Sequence, residues 1–240
     1  PSFVDRVLRR QPSPAQYSQA IEEAPRDPKD PARLSLVYAQ LMERSGQLEQ
    51  ASSHYNKALD ENPSSVDALI GLGRVHTLAG RHEQAEKSLL KALEHDPRST
   101  AALHALGQSY AARNRWDEAV ATLERAALLQ PEDQSLQYDL AVAFVQAGDI
   151  DSALPCFART VGEAEAHYNV GLILQRAGRL TESEQQFRMA LARKPDFEQA
   201  RYWLATLHQQ QTLPAAPPNA VLPVSYQRPT DSLPLQSPVR

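Results

Sequence analysis

Seven histidines and one cysteine are the side chains of this chain best suited to metal or nucleophilic chemistry. The histidines are His54, His76, His82, His95, His104, His167 and His208, and they are scattered. No His-Glu-x-x-His spacing puts two of them on one helix face to hold zinc, and no Gly-x-x-x-x-Gly-Lys loop is present to cradle a phosphate. Gly71-x-Gly73 opens like a dinucleotide fingerprint, but no strand precedes it. A lone Cys156 excludes an internal disulfide and a multi-cysteine metal site, and reads as a small core residue. His76 and His208 stand where Tyr110 and Phe144 stand elsewhere, which reads as half-buried packing. The expectation is a chain with no catalytic residue, no metal and no cofactor, whose chemistry is that of binding.

Composition narrows what could be bound. Net charge is −4 and the isoelectric point is near 6.0, so no strong field favours nucleic acid or an anionic membrane. No run approaches the roughly 18 to 20 apolar residues of a membrane span. Hydrophobic content of 42% with only 6% aromatics leaves Ala and Leu dominant, which suits closely packed helices. Arginine outnumbers lysine 20 to 5, a bias expected of a GC-rich bacterial genome. The first residue is Pro rather than Met, so the numbered chain reads as processed or truncated, and its compartment stays open. If an upstream signal or anchor was removed, a soluble protein of the bacterial periplasm or envelope is the expectation.

A phrase recurs at a fixed interval. Gly46-Gln-Leu-Glu-Gln-Ala51 returns as Gly80 to Ala85, Asn114 to Ala119 and Gly148 to Ala153, each 34 residues on, then as Gly178 to Ser183 after 30. Such a period marks one supersecondary unit stacked on copies of itself. In register, units run over 32–65, 66–99, 100–133, 134–163 and 164–197, with a further helix at 198–211. Small residues recur where two helices must approach: Ala39, Gly73, Gly107, Ala141, Gly171 and Ala205 in the first helix, Ala51, Ala85, Ala119, Ala153 and Ser183 in the second. Larger apolar residues flank them: Tyr38, Leu72, Leu106, Leu140, Val170 and Leu204, then Tyr55, Leu89, Leu123, Phe157 and Phe187. Spacings of three, four and seven give each helix one apolar stripe. Pro63, Pro97, Pro131 and Pro195 close four units, because Pro cannot continue a helix. Gly or Asn at the mid-unit turn supplies the positive φ that ends the first helix.

These residues resemble the tetratricopeptide repeat (TPR), a 34-residue helix–turn–helix. The resemblance implies an all-α, right-handed superhelical solenoid of antiparallel helix pairs. The fourth unit departs from it: four residues short, without a closing Pro, and with Pro155 inside its second helix. A change in the direction of the array is expected around 150–165. Residues 1–31 resemble a degenerate N-terminal repeat that caps the stack, with Tyr17, Ala20 and Pro25 at family spacing. From Thr212 to residue 240 the composition turns Pro-rich, with seven prolines between Pro214 and Pro238, so an extended tail is expected.

What the resemblance implies about function is a concave groove lined by first helices. The fifth position of each unit points into it: Leu36, Ile70, His104, Tyr138, Tyr168 and Tyr202. Beside them come Arg74, Gln108, Val142 and Leu172 at the ninth position, with Gln40, and Asn169 as the single groove Asn. Aromatic rings with a hydroxyl bury area at low entropy cost and hydrogen-bond backbone, which suits an extended apolar or Pro-rich peptide. The Lys/Arg/Asn clamp of chaperone-binding TPRs and the Asn ladder of the glycosyltransferase type are both missing.

The expectation is thus a non-enzymatic scaffold that binds a partner protein or peptide. Its Pro-rich tail is expected to dock on its own surface, on a neighbouring subunit in self-association, or on the partner. Two other readings are an envelope assembly factor, similar to bacterial TPR proteins of the Tad-pilus and pilotin type, and a substrate-recruiting subunit of an enzyme complex.

Overall fold

Helix follows helix wherever the apolar stripe repeats every 3.6 residues. The computed structural model describes residues 31–212, with side chains to Gln209; the cap expected before Pro31 and the tail expected after Thr212 lie outside the described residues. Eleven α-helices and no strand occur among them: α1 (Pro31–Arg44), α2 (Leu48–Glu61), α3 (Val66–Leu78), α4 (His82–His95), α5 (Thr100–Ala112), α6 (Trp116–Leu129), α7 (Gln134–Ala147), α8 (Ile150–Val161), α9 (Glu163–Arg176), α10 (Leu180–Arg193) and α11 (Glu198–Thr212).

The local signals sit where the period puts them. Asn114, at φ +57°, takes the left-handed conformation that Gly80 takes 34 residues earlier. Pro63, Pro97, Pro131 and Pro195 occupy the four-residue links after α2, α4, α6 and α10. Each of the first three links ends in an N-cap: Ser65 accepts from Ala68 N–H (3.3 Å), Ser99 from Ala102 N–H (3.2 Å) and Asp133 from Leu136 N–H (3.0 Å).

The chain divides into two compact units after Leu136. In the first, α1 packs on α2, α3 on α4 and α5 on α6, while α1, α3 and α5 lie side by side. Ala39, Ala51, Tyr55 and Ala58 are buried together with Ala68, Leu72 and Val75. In the second, α9 and α10 form a close pair and α11 packs on α10. There Tyr168, Leu172, Phe187, Phe197, Trp203 and Leu207 form the core. Two stripe residues depart from expectation. Tyr38 is exposed, its ring 5.6 Å from His54, and Ala205 is exposed where its equivalents are buried. Cys156, expected in the core, is half-buried.

The short unit shows where its four residues went. α8 runs unbroken through the exposed Pro155 and is two residues shorter than α10. The link after it shrinks from four residues to Gly162 alone, and α9 starts one residue early. Gly162 carries the whole connection at φ +93°, ψ 163°, a region essentially closed to residues with a Cβ. An added Cβ would also lie 3.2 Å from Glu165 Oε2. Gly162→Ala is therefore expected to cost about 1–3 kcal/mol, read from urea unfolding; unchanged stability would mean that the link has another conformation to adopt.

Candidate functional site

Because α1, α3 and α5 lie side by side, recurring positions on them form columns. In the first unit the fifth-position column holds Leu36 (half-buried), Ile70 (buried) and His104 (half-buried). The ninth-position column holds Gln40, Arg74 and Gln108. His104 and Gln108 are one turn apart on α5, their Nε2 atoms 3.1 Å from each other, both part-exposed. Imidazole and amide together offer donors and acceptors of the kind that pair with peptide backbone. Arg74 is exposed but engaged: its Nε and Nη2 donate to Glu43 at 2.8 and 2.7 Å. Glu43 also accepts from the hydroxyl of the fully buried Tyr55. Burial and the adjacent Glu43 carboxylate hold the Tyr55 phenol far above its ordinary pKa.

The second unit treats its predicted residues differently. Tyr138 is buried edge-on against Phe157, with ring centroids 5.1 Å apart. Tyr168 has no exposed surface and packs between Phe187 (5.9 Å) and Phe197 (4.9 Å). Asn169 and Leu172 are also buried, and Val142 is half-buried. Only Tyr202, at 53% exposure, presents its ring. The tyrosine column expected to line a surface is thus largely core. The rings of Phe157, Phe187 and Phe197 supply apolar cover that Tyr138 and Tyr168 fill, and the Tyr168 hydroxyl is buried facing the Trp203 indole N–H.

Two carboxylate networks escaped the sequence reading. Besides Glu43, Glu86 accepts from the Tyr110 hydroxyl (3.1 Å), Arg113 (3.0 Å) and Arg115 (3.1 Å), and the Arg115 guanidinium lies 4.5 Å over the Tyr110 ring. Burial, with help from Glu86, raises the Tyr110 pKa. Arg81, the equivalent of Arg115 one unit earlier, pairs with Glu49 at 2.8 Å and donates to His76 Nδ1 at 3.0 Å. A signal was available for Glu43. It falls in register with Thr77, Ala111 and Val145, the one charge in an otherwise uncharged column.

The histidines behave as packing and surface groups. His167 is buried, its Nδ1 2.7 Å from Gln186 Oε1, and His208 is exposed beside Glu184 (2.8 Å) rather than half-buried as expected. His76 is half-buried. Among the described residues no group of three or more His, Cys, Asp or Glu is placed to hold a metal ion. Desolvation by burial lowers the pKa of His54, His76 and His167 from the ordinary 6.5. Between each lowered value and 6.5 the unfolded chain binds the extra proton, so the neutral folded form loses stability as pH falls through that window. The thermal midpoint is expected to fall between pH 7 and pH 5, and His167→Gln to flatten part of that slope. A midpoint constant over this range would contradict it. Glu118, Glu182 and Asp149, with ordinary values of 4.5, 4.5 and 3.8, are shifted lower still by their hydrogen bonds and so act below this window.

Among the described residues no helix is long and apolar enough to cross a membrane. No curated protein matches the sequence. Solved structures do. The crystal structure of YrrB, described as a TPR protein with an unusual peptide-binding site, is 25% identical with a TM-score of 0.55, covering 78% of this chain and 96% of its own. MamA is 22% identical with a TM-score of 0.55, covering 78% of this chain and 99% of its own. PilF of Pseudomonas aeruginosa is 20% identical with a TM-score of 0.55, covering 75% and 90%. Family models described as tetratricopeptide repeat match residues 43–109 and, in three overlapping stretches, 104–167, 138–198 and 168–219. With the 34-residue period, the helix pairs and the small-over-large packing, these matches show that the chain belongs to the tetratricopeptide repeat family, whose fold is a scaffold for protein–protein interaction.

Proposed function

We propose that this scaffold holds an extended, uncharged peptide, apolar or Pro-rich, on the first-helix face of its first unit. The observation that carries the reading is the half-exposed His104–Gln108 pair on α5, with Arg74 at the matching position of the adjacent α3 and Leu36 one helix further along the row, on α1. Leu36 offers apolar area, and the pair offers hydrogen bonds to backbone. With its charge neutralised by Glu43, Arg74 adds a flat guanidinium rather than an anion clamp. The description of YrrB as peptide-binding, at 25% identity, favours a peptide as the ligand class.

The chain's own Pro-rich segment after Thr212 is one peptide of this kind. Selection of peptides from a displayed library against the full chain, followed by titration of the best binder, tests the reading. His104→Ala with Gln108→Ala is expected to raise Kd about tenfold, the loss of one to two net hydrogen bonds, measured at a temperature where the variant is fully folded. Equal affinity of the double variant would move the binding face elsewhere.

A further inference from the structure

The ninth-position column of the first unit carries hydrogen-bond donors at even steps. Gln40 on α1, Arg74 on α3 and Gln108 on α5 follow one another at 34-residue intervals, and all three reach solvent. Their helices are in contact. Leu36 and Ala39 pack with Ala68 and Leu72, and Ile70 packs with Ala102 and Leu106. Helices packed side by side lie about 8–10 Å apart, so the donors recur at about that step.

Each peptide conformation has a step of its own. Three residues of polyproline II complete one turn and advance about 9.3 Å, which matches. Two residues of extended strand, after which the chain shows the same face again, advance only about 6.8 Å and fall out of register by the third helix. Two turns of α-helix advance about 10.8 Å, but its carbonyls are bonded internally and leave a row of donors nothing to meet. Polyproline II has no internal hydrogen bonds, and proline has no N–H, so a Pro-rich chain offers acceptors alone. The charge of the column suits such a ligand. Arg74 commits Nε and Nη2 to Glu43 and keeps Nη1 outside that pair, a donor on an ion pair of no net charge.

Given the peptide-binding face proposed above, we infer that its ligand is a nine-residue polyproline II segment seated at one turn per helix. Gln40, Arg74 and Gln108 each donate to one carbonyl, three residues apart along the ligand. Proline pre-sets this conformation, so little entropy is lost on docking.

End-blocked oligoprolines of six, nine and twelve residues, titrated into the full chain by calorimetry, test the register. Kd is expected to fall about fivefold from six residues to nine, the worth of one added hydrogen bond. Extension to twelve is expected to add less than that step, since α1, α3 and α5 supply three donors. Gln40→Ala is expected to bring the nine-residue probe to the affinity of the six-residue one. It should leave the six-residue probe nearly unchanged, because Arg74 and Gln108 still serve two turns. Equal Kd for six and nine residues, an undiminished gain at twelve, or equal weakening of both probes by Gln40→Ala would overturn the register. Binding of a library-selected peptide at His104 and Gln108, with no oligoproline bound, would overturn it too and leave the peptide-binding face standing. Failure of every peptide to bind would overturn both.

Discussion

Phe187→Ala is expected to lower the stability of the second unit by about 3–5 kcal/mol, the usual loss for a buried aromatic ring. Phe187 has no exposed surface, lies over Gly171, touches the Tyr168 ring and shares a core with Phe197, Trp203 and Leu207. Collapse around the vacancy is restricted, because neighbouring helices hold the walls in place. The converse change is expected to hurt as well. Gly171→Ala gains helix propensity of about 1 kcal/mol but drives a Cβ to 2.7 Å from a ring with no room to move, and overpacking costs about 1–3 kcal/mol. The chain contains two tryptophans, Trp116 in the first unit and Trp203 in the core that Phe187 completes. Urea unfolding followed by Trp203 fluorescence in a Trp116→Phe background reads the loss where it occurs. A midpoint within error of the parent would show that Phe187 does not carry this core.

The second large effect belongs to Glu43. Glu43→Ala is expected to cost about 2–3 kcal/mol, chiefly because the Tyr55 hydroxyl is left buried without an acceptor. Arg74 is 43% exposed and regains water when its partner goes, so the heavier penalty of a stranded buried charge does not apply. The two contributions separate in a double-mutant cycle. Tyr55→Phe added to Glu43→Ala is expected to recover most of the loss, since no orphaned hydroxyl remains. Glu43→Gln keeps an acceptor and is expected to cost less than Glu43→Ala. Equal stability of parent and Glu43→Ala in chemical denaturation would contradict the network.

Much of the fold was legible because it rests on spacing. The positive φ at Asn114, the link prolines and the small-over-large pairs all follow from a 34-residue period, and each is a local requirement of backbone or volume. The candidate site was less legible. The period gives the helix face on which Tyr168 lies, but not that Phe197, from the link before α11, closes over it. The identical register position at Tyr202 is exposed because no second helix follows α11 among the described residues. Burial here depends on neighbours in space, which the spacing of one stripe does not supply. The Glu43 and Glu86 networks were hidden for a related reason. Their partners lie 12 to 31 residues away, on other helices or in the turn before α6, a separation no single stripe encodes.

The claim that the first-helix face of the first unit is the binding surface is tested most directly by shift mapping. The full chain, isotopically labelled, is titrated with the peptide selected against it, and amide shifts are followed residue by residue. The expected result is movement concentrated at Leu36, Arg74, His104 and Gln108, on α1, α3 and α5. Movement concentrated instead around the exposed Leu90 of α4 and Leu128 of α6, on the second helices, would contradict it.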